Sequence, residues 1–277
     1  MDRKKTIKNI FFYGIVATLS ILVIVSLVWI IGFVLVKGLP NINLEFLTKE
    51  PSKMGKEGGI LSVIVGTIYI TFVSIIIATP IGIGGAVYFT EYAKDGFVVR
   101  TIRFFNNILA GIPSIIFGLF GFAFFVIFCG FGWSVLSGGI TLALMILPTI
   151  VRATEESLKT VAESYREASL ALGATKWETT WKIIIPACKS GILSGLILGI
   201  GRAIGETAAL ILTAGGALNM PVSIFDSTRT MSIHLYTLAS EGLSEEKTFA
   251  TAALLILIVL GINIIANKVI LGIGKIK

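Results

Sequence analysis

The 277-residue chain is 55% hydrophobic and only 14% charged, with a mean hydropathy of +0.93. Soluble proteins carry about a quarter charged residues, so this composition excludes a soluble domain and calls for apolar spans of about 20 residues. The apolar runs are continuous rather than alternating, which excludes a β-barrel, and the net charge of +7 reads as a membrane-side signal rather than affinity for nucleic acid.

Residues 1–10 form a basic N-terminus with Arg3, Lys4, Lys5 and Lys8. The uncharged run 11–36 is too long for a signal-peptide core and has no small-residue cleavage site, so it reads as a retained helix. A polar loop of mixed charge follows to Gly59. The second span, 60–90, contains Pro80 with Gly82, Gly84 and Gly85, which predicts a kink or break in its second half. Residues 91–103 read as a short charged loop. The third span is 104–128, around Pro113, and 129–138 is an uncharged connection. A fourth span, 134–152, passes Pro148 and ends among Arg152, Glu155 and Glu156. A polar stretch comes next, then a fifth span over 187–218 and a second polar loop over 220–246. A sixth span over 247–273 leads to Lys275 and Lys277. The fold class is therefore all-α and integral to the membrane. It has six transmembrane helices, with residues 11–277 as one membrane domain.

Six spans put both termini on one side. That side collects 16 of the 23 lysines and arginines, the other side holds six, and Arg202 lies inside a span. The asymmetry predicts cytoplasmic termini. Cys129 and Cys188 sit beside different apolar blocks and suggest neither a disulfide framework nor a zinc site.

The stretch 161–186 is polar but reads as folded. Val161, Tyr165, Ala168 and Leu172 fall at helical spacing on one side, with Glu163, Arg166 and Glu167 off that stripe. Gly173 suits a left-handed turn after a helix. Thr175 and Glu178 form a capping-box pattern for a second helix, and Pro186 should end it. The pattern predicts two helices around a glycine break on the cytoplasmic surface; an ordinary structured loop is the alternative.

Charges inside spans carry the functional signal. Arg202 lies 13 residues after Lys189, about 20 Å along a helix and near mid-membrane. A guanidinium there needs a cavity or a partner, and Glu206, one turn on, can supply one. The pair is either a structural ion pair or an anion contact on a translocation path. Arg152 and Glu155 make a second such pair near the cytoplasmic end of the fourth span. Arginine suits a tetrahedral oxyanion because its planar fork offers parallel donors and keeps its charge. With each arginine offset by a glutamate, the site should bind an anion weakly and release it. Gly191, Gly195 and Gly199 predict close helix packing within the chain, with a subunit interface as the alternative; Gly201 and Gly205 repeat the spacing. His234 reads as a surface histidine of the second polar loop. No Ser/His/Asp or H-E-x-x-H arrangement appears, and no G-x-x-x-x-G-K-[ST] loop. Energy from ATP would have to come through a contact with another chain.

The stretch 161–186 resembles the cytoplasmic loop of ATP-binding-cassette importer permeases. Their pattern is Glu-Ala-Ala, three residues, Gly, nine residues, Ile, one residue, Leu-Pro. Glu167, Ala168, Gly173, Ile183 and Pro186 fall at that spacing, with Ser169 and Ile185 as mild departures. Five further segments, Gly58–Ile60, Glu91–Ala93, Ala110–Leu119, Leu147–Glu156 and Arg202–Thr207, are similar to phosphate-importer permeases. The resemblance implies a type I importer (MetI-like) permease fold in the cytoplasmic membrane of a bacterium or archaeon. It also implies a sister permease, two copies of an ATP-binding-cassette ATPase and an extracytoplasmic phosphate-binding protein, with inorganic phosphate as cargo and no cofactor or metal. It places Arg152, Glu155 and Arg202 on the phosphate route, with Glu206 inside the matching motif, and makes Glu167, Ala168, Gly173, Ile183 and Pro186 the ATPase-coupling residues. The alternatives are a permease for another oxyanion (sulfate, molybdate or phosphonate) and an ATP-independent anion channel or secondary transporter. An intramembrane enzyme would need a nucleophile–base or metal set that the sequence lacks.

Overall fold

The computed structural model describes residues 3–94 and 96–274. The side chains of Arg3, Lys4, Lys5 and Lys8, and residues Lys275 and Lys277, fall outside the described part. Among the described residues four helices are long and apolar enough to cross a membrane, and six spans result if each of two sharply bent helix pairs counts as one.

Helix α1 (Arg3–Gly38) lies antiparallel to the last helix, α12 (Glu245–Gly274). Lys37 at the end of α1 bonds Glu245 at 2.6 Å, and its ammonium sits between the rings of Phe33 and Phe249. Gly38 lies directly against the Phe249 carbonyl, where any Cβ would collide. The start of α1 and the end of α12 therefore lie on one side of the molecule, the terminal side. The short helix α2 (Leu44–Thr48) is capped by Asn43 on the opposite, distal side. There β1 (Pro51–Ser52) and β2 (Glu57–Gly58) form a small antiparallel hairpin, the only strand pair among the described residues.

Helix α3 (Leu61–Val87) continues through a π-helical turn, Tyr88–Tyr92. Contrary to expectation it runs unbroken past Pro80, as one 32-residue span. Of its glycines near Pro80, Gly82 serves packing, facing Ile150 of α6 (Val135–Lys159), and Gly84 faces no close neighbour. Helix α6 starts at a Ser134 cap and runs parallel to α3, with Val73 opposite Gly139. Ile70, Leu142, Met145, Ile146 and Ile150 form the core between them.

Two predicted spans are corrected. The third does not run straight over 104–128. Helix α4 (Phe97–Gly111) takes in much of the expected charged loop. It meets α5 (Ser114–Gly121, continued by a π-helical stretch to Phe128) at 104°. Pro113 has no N–H and drives the preceding residue out of the helical region, and Ile112 is accordingly extended at φ −70°, ψ 132°. The fifth span also differs. Helix α7 (Glu163–Ala171) is followed by α8 (Lys176–Ala187), which meets α9 (Lys189–Ile204) at 68°. The break is at Cys188 (φ −104°, ψ 12°), not at Pro186. Pro186 stands in the first turn of a short α-helical segment that follows a π-helical turn, where its missing N–H is tolerated. Helix α9 ends at Ile204, short of the predicted residue 218. The chain then forms α10 (Ala208–Thr213) and, within the predicted distal loop, α11 (Met231–Ser240).

Helix α9 is antiparallel to α6. Gly191, Gly195 and Gly199 face Ser157, Ala153 and Ile150, so this small-residue stripe packs within the chain as expected. Gly201 and Gly205 face no close neighbour.

Candidate functional site

Neither predicted intrahelical ion pair forms. Arg152 is exposed, and its Nη2 donates to Asn107 Oδ1 of α4 at 2.7 Å. Glu155 faces Arg103 of α4 instead, with Oε1 3.5 Å from Nε. The Arg103 Nη2 also donates to the Phe89 carbonyl at 3.3 Å. The bend at Pro113 lays α4 beside the terminal half of α6, and α4 thus supplies a separate partner to each member of the expected pair.

Arg202 is exposed in the last turn of α9. Glu206 lies past the helix end, so the one-turn relation between the two is lost. Its carboxylate Oε1 accepts from the Ala209 N–H at 3.1 Å, tying it to the start of α10. Its carbonyl accepts from Ser232 Oγ at 2.5 Å. The glycine register of α9 on α6 puts Arg202 level with about residue 146, roughly 9 Å along the axis from Arg152 at 1.5 Å per residue. The two arginines therefore stand at different depths.

The stretch 161–186 folds as the predicted helix, turn and helix. Gly173 has φ +85°, a conformation that disfavours side chains. Thr175 Oγ1 accepts from the Glu178 N–H at 3.2 Å, and Glu178 accepts from the Thr175 N–H at 3.1 Å. The bond from the Thr175 N–H, with help from Lys182, holds the Glu178 carboxyl down at about 2. Ser169, a departure from the importer pattern, is buried and shares a 2.8 Å hydrogen bond with Thr179, which joins α7 to α8. Ile183 is half-buried beside a core of Val87, Leu158, Ile184 and Ile192. Glu167, Ala168, Gly173 and Pro186 are exposed. Tyr165 and Leu172 of the predicted apolar stripe also face outward, Leu172 at 90% exposure.

A clamp that sequence reading missed fixes α7. Arg166 forks onto the buried Glu91 at 2.7 and 3.1 Å. It also donates to the carbonyls of Val161 and Leu158 at 2.9 and 3.1 Å. Glu91 holds the guanidinium above its ordinary pKa range. The available signal was an acidic residue closing an apolar span on the same predicted side as a helical arginine, but 75 positions separate them.

His234 is also corrected: it is fully buried in α11, under Gly55 of the distal hairpin. Neither ring nitrogen has a hydrogen-bond partner. Burial, with Arg229 and Lys247 nearby, pulls its pKa down to about 4.

Residues 78–270 match the family of binding-protein-dependent transport system inner membrane components. The chain is 36% identical over 249 residues to the phosphate transport system permease protein PstA of Pasteurella multocida, covering 87% of this chain and 86% of that protein. It is 32% identical to the probable ABC transporter permease protein YqgI of Bacillus subtilis, over 96% of each chain. In fold it is similar to a chain of the inward-facing MetNI methionine ABC transporter, with TM-score 0.65 at 19% identity over 77% of this chain and 95% of that one. It is similar also to a chain of a bacterial alginate ABC transporter bound to its periplasmic protein, with TM-score 0.67 at 14% identity over 96% and 95%.

Proposed function

Because the chain belongs to the family of binding-protein-dependent transport system inner membrane components, we propose that it is the permease subunit of a phosphate importer. It is a multi-pass inner-membrane permease of an ABC importer and not itself an enzyme. The assignment of phosphate is carried by one observation: 36% identity to a phosphate transport permease across 87% of the chain. The polar contacts support it. Arg152 and Arg202 are exposed guanidiniums on helices that pack together, and a guanidinium fork matches an oxyanion.

In this reading the terminal side is cytoplasmic and Arg152, Glu155, Arg202 and Glu206 lie along the phosphate route. Glu206 acts through the backbone, by fixing the break between α9 and α10. A sister permease completes the path, and an extracytoplasmic phosphate-binding protein delivers the anion. Two ATPase copies serve the complex, and one of them docks on α7 and α8 of this chain, where Glu167, Ala168, Gly173, Ile183 and Pro186 fall. The outward-facing Tyr165 and Leu172 give the dock an apolar patch. Movement of α7 passes through the Arg166–Glu91 clamp to the end of α3, and so to the α3–α6 core.

The test is uptake into proteoliposomes holding the chain with its partner subunits. The expected outcome is phosphate uptake that requires both ATP and the binding protein. Uptake of sulfate or molybdate in place of phosphate would reassign the cargo, and phosphate flux without ATP would overturn the reading.

A further inference from the structure

The expectation that each arginine is neutralised by its own glutamate fails at Arg152, and the way it fails is informative. A guanidinium offers five N–H donors. Here one of them is fixed by a short 2.7 Å bond to an amide oxygen, Asn107 Oδ1. An amide orients the fork without cancelling its charge. The carboxylate best placed to cancel it, Glu155 three residues on, is held by Arg103 across a 3.5 Å ion pair, and its side chain is only 13% exposed. Arg103 and Asn107 are one turn apart on α4, so one face of one helix makes both contacts. The opposite face of α4 exposes Phe97, Phe104, Phe105 and Ile108. Large apolar side chains thus face outward while Arg103 and Asn107 reach α6, the reverse of a surface helix in water. That arrangement suits a helix with lipid outside and a polar path inside.

We propose that Asn107 is a positioning residue for anion passage, aiming the Arg152 guanidinium while leaving its charge available, with Arg103 withdrawing Glu155 from competition. This rests on the reading that Arg152 meets phosphate.

The test uses the complete importer in proteoliposomes, with inorganic phosphate as the probe and co-purification of all subunits as the check on assembly. Asn107→Asp keeps the size and the contact but adds a charge. It should abolish uptake in assembled complexes. Asn107→Ala loses only the aim. Its KM should rise by up to about fivefold, the most that aiming a solvated ion pair can carry, with the maximal rate held. Adding Glu155→Gln to Asn107→Asp removes the Glu155 pairing while the bond to the Phe89 carbonyl stays, so the Arg103 guanidinium can offset the new carboxylate one turn away and should restore part of the uptake. Wild-type uptake by Asn107→Asp, or equal losses in the Asp and Ala variants without rescue, would overturn the proposal. Arg152→Ala separates the two levels: normal uptake there removes the premise itself, whereas loss there with normal uptake in Asn107→Asp leaves Arg152 on the path and removes only the role of Asn107.

Discussion

At the scale of single residues, His234 shows how burial sets a pH dependence. Its ring is held neutral in the fold, with the pKa drawn from the ordinary 6.5 to about 4 by burial first and by Arg229 and Lys247 next. The unfolded chain binds the proton more readily than the folded one. Stability from this group is therefore complete above about pH 6.5 and falls as pH drops towards 4, by roughly 3 kcal/mol over the window. The loss should begin at the distal hairpin. Lys53, Met54 and Gly55 hold positive φ there, and two of the three are side-chain-bearing residues at a conformational cost. The Lys247 ammonium donates to the Gly58 carbonyl, which ties the hairpin to α12. Hydrogen exchange of residues 50–60 should accelerate between pH 6.5 and 4.5, and His234→Leu should flatten that dependence. An unchanged pH profile in the leucine variant would show that another group governs it.

At the scale of elements, the Glu91–Arg166 clamp joins the end of α3 to α7. Glu91→Gln leaves the guanidinium, 15% exposed, with only the exposed Glu163 as counter-charge at 3.2 Å, a loss of at most about 3 kcal/mol, the cost of breaking a buried pair. Part of that falls on the docking of α7 rather than on global unfolding, since the clamp lies at the end of α3, outside the α3–α6 core. The expected result is an assembled importer that hydrolyses ATP with little phosphate uptake; tight coupling in Glu91→Gln would relieve the clamp of this role. The clamp also marks where sequence reading stops. Local features of 161–186 were legible, because a positive-φ glycine, a capping box and a helical stripe are each set by residues within four positions of one another. The partners of Arg166 and Arg152 were not, because Glu91 and Asn107 lie 75 and 45 positions away. An isolated helix pattern instead favours the nearest opposite charge, which is how Glu155 and Glu206 came to be expected as partners. The bends escaped for a related reason. Hydropathy counts apolar residues without direction, so a run through Pro113 or Cys188 looks the same straight or bent.

At the scale of the whole molecule, the four unbroken spans were readable as apolar runs, while the two bent pairs set where Arg103 and Arg202 lie. A guanidinium in a bilayer core costs several kcal/mol, and the 104° bend turns α4, which carries Arg100 and Arg103, away from the line of α5. Ending α9 at Ile204 puts Arg202 at a helix end, beside a non-helical segment. The resulting arginines are exposed and offset by roughly 9 Å in depth. In the proposed importer such an arrangement would serve as a series of contacts for a passing anion rather than a closed cage, which would converge several buried donors on one point. Two consequences follow for the proposed importer. Each contact is required in turn, so Arg202→Ala should abolish uptake in a complex that still assembles, and normal uptake would remove Arg202 from the route. No single contact is strong, because Arg152 and Arg202 both remain open to water and a solvated ion pair contributes at most about 1 kcal/mol. Titration calorimetry on the purified permease should therefore detect no sub-micromolar phosphate binding, since that affinity needs more than about 8 kcal/mol. Tight binding by the permease alone would show that its helices close around the anion, and the affinity of the importer would then reside in this chain rather than in the protein that delivers its cargo.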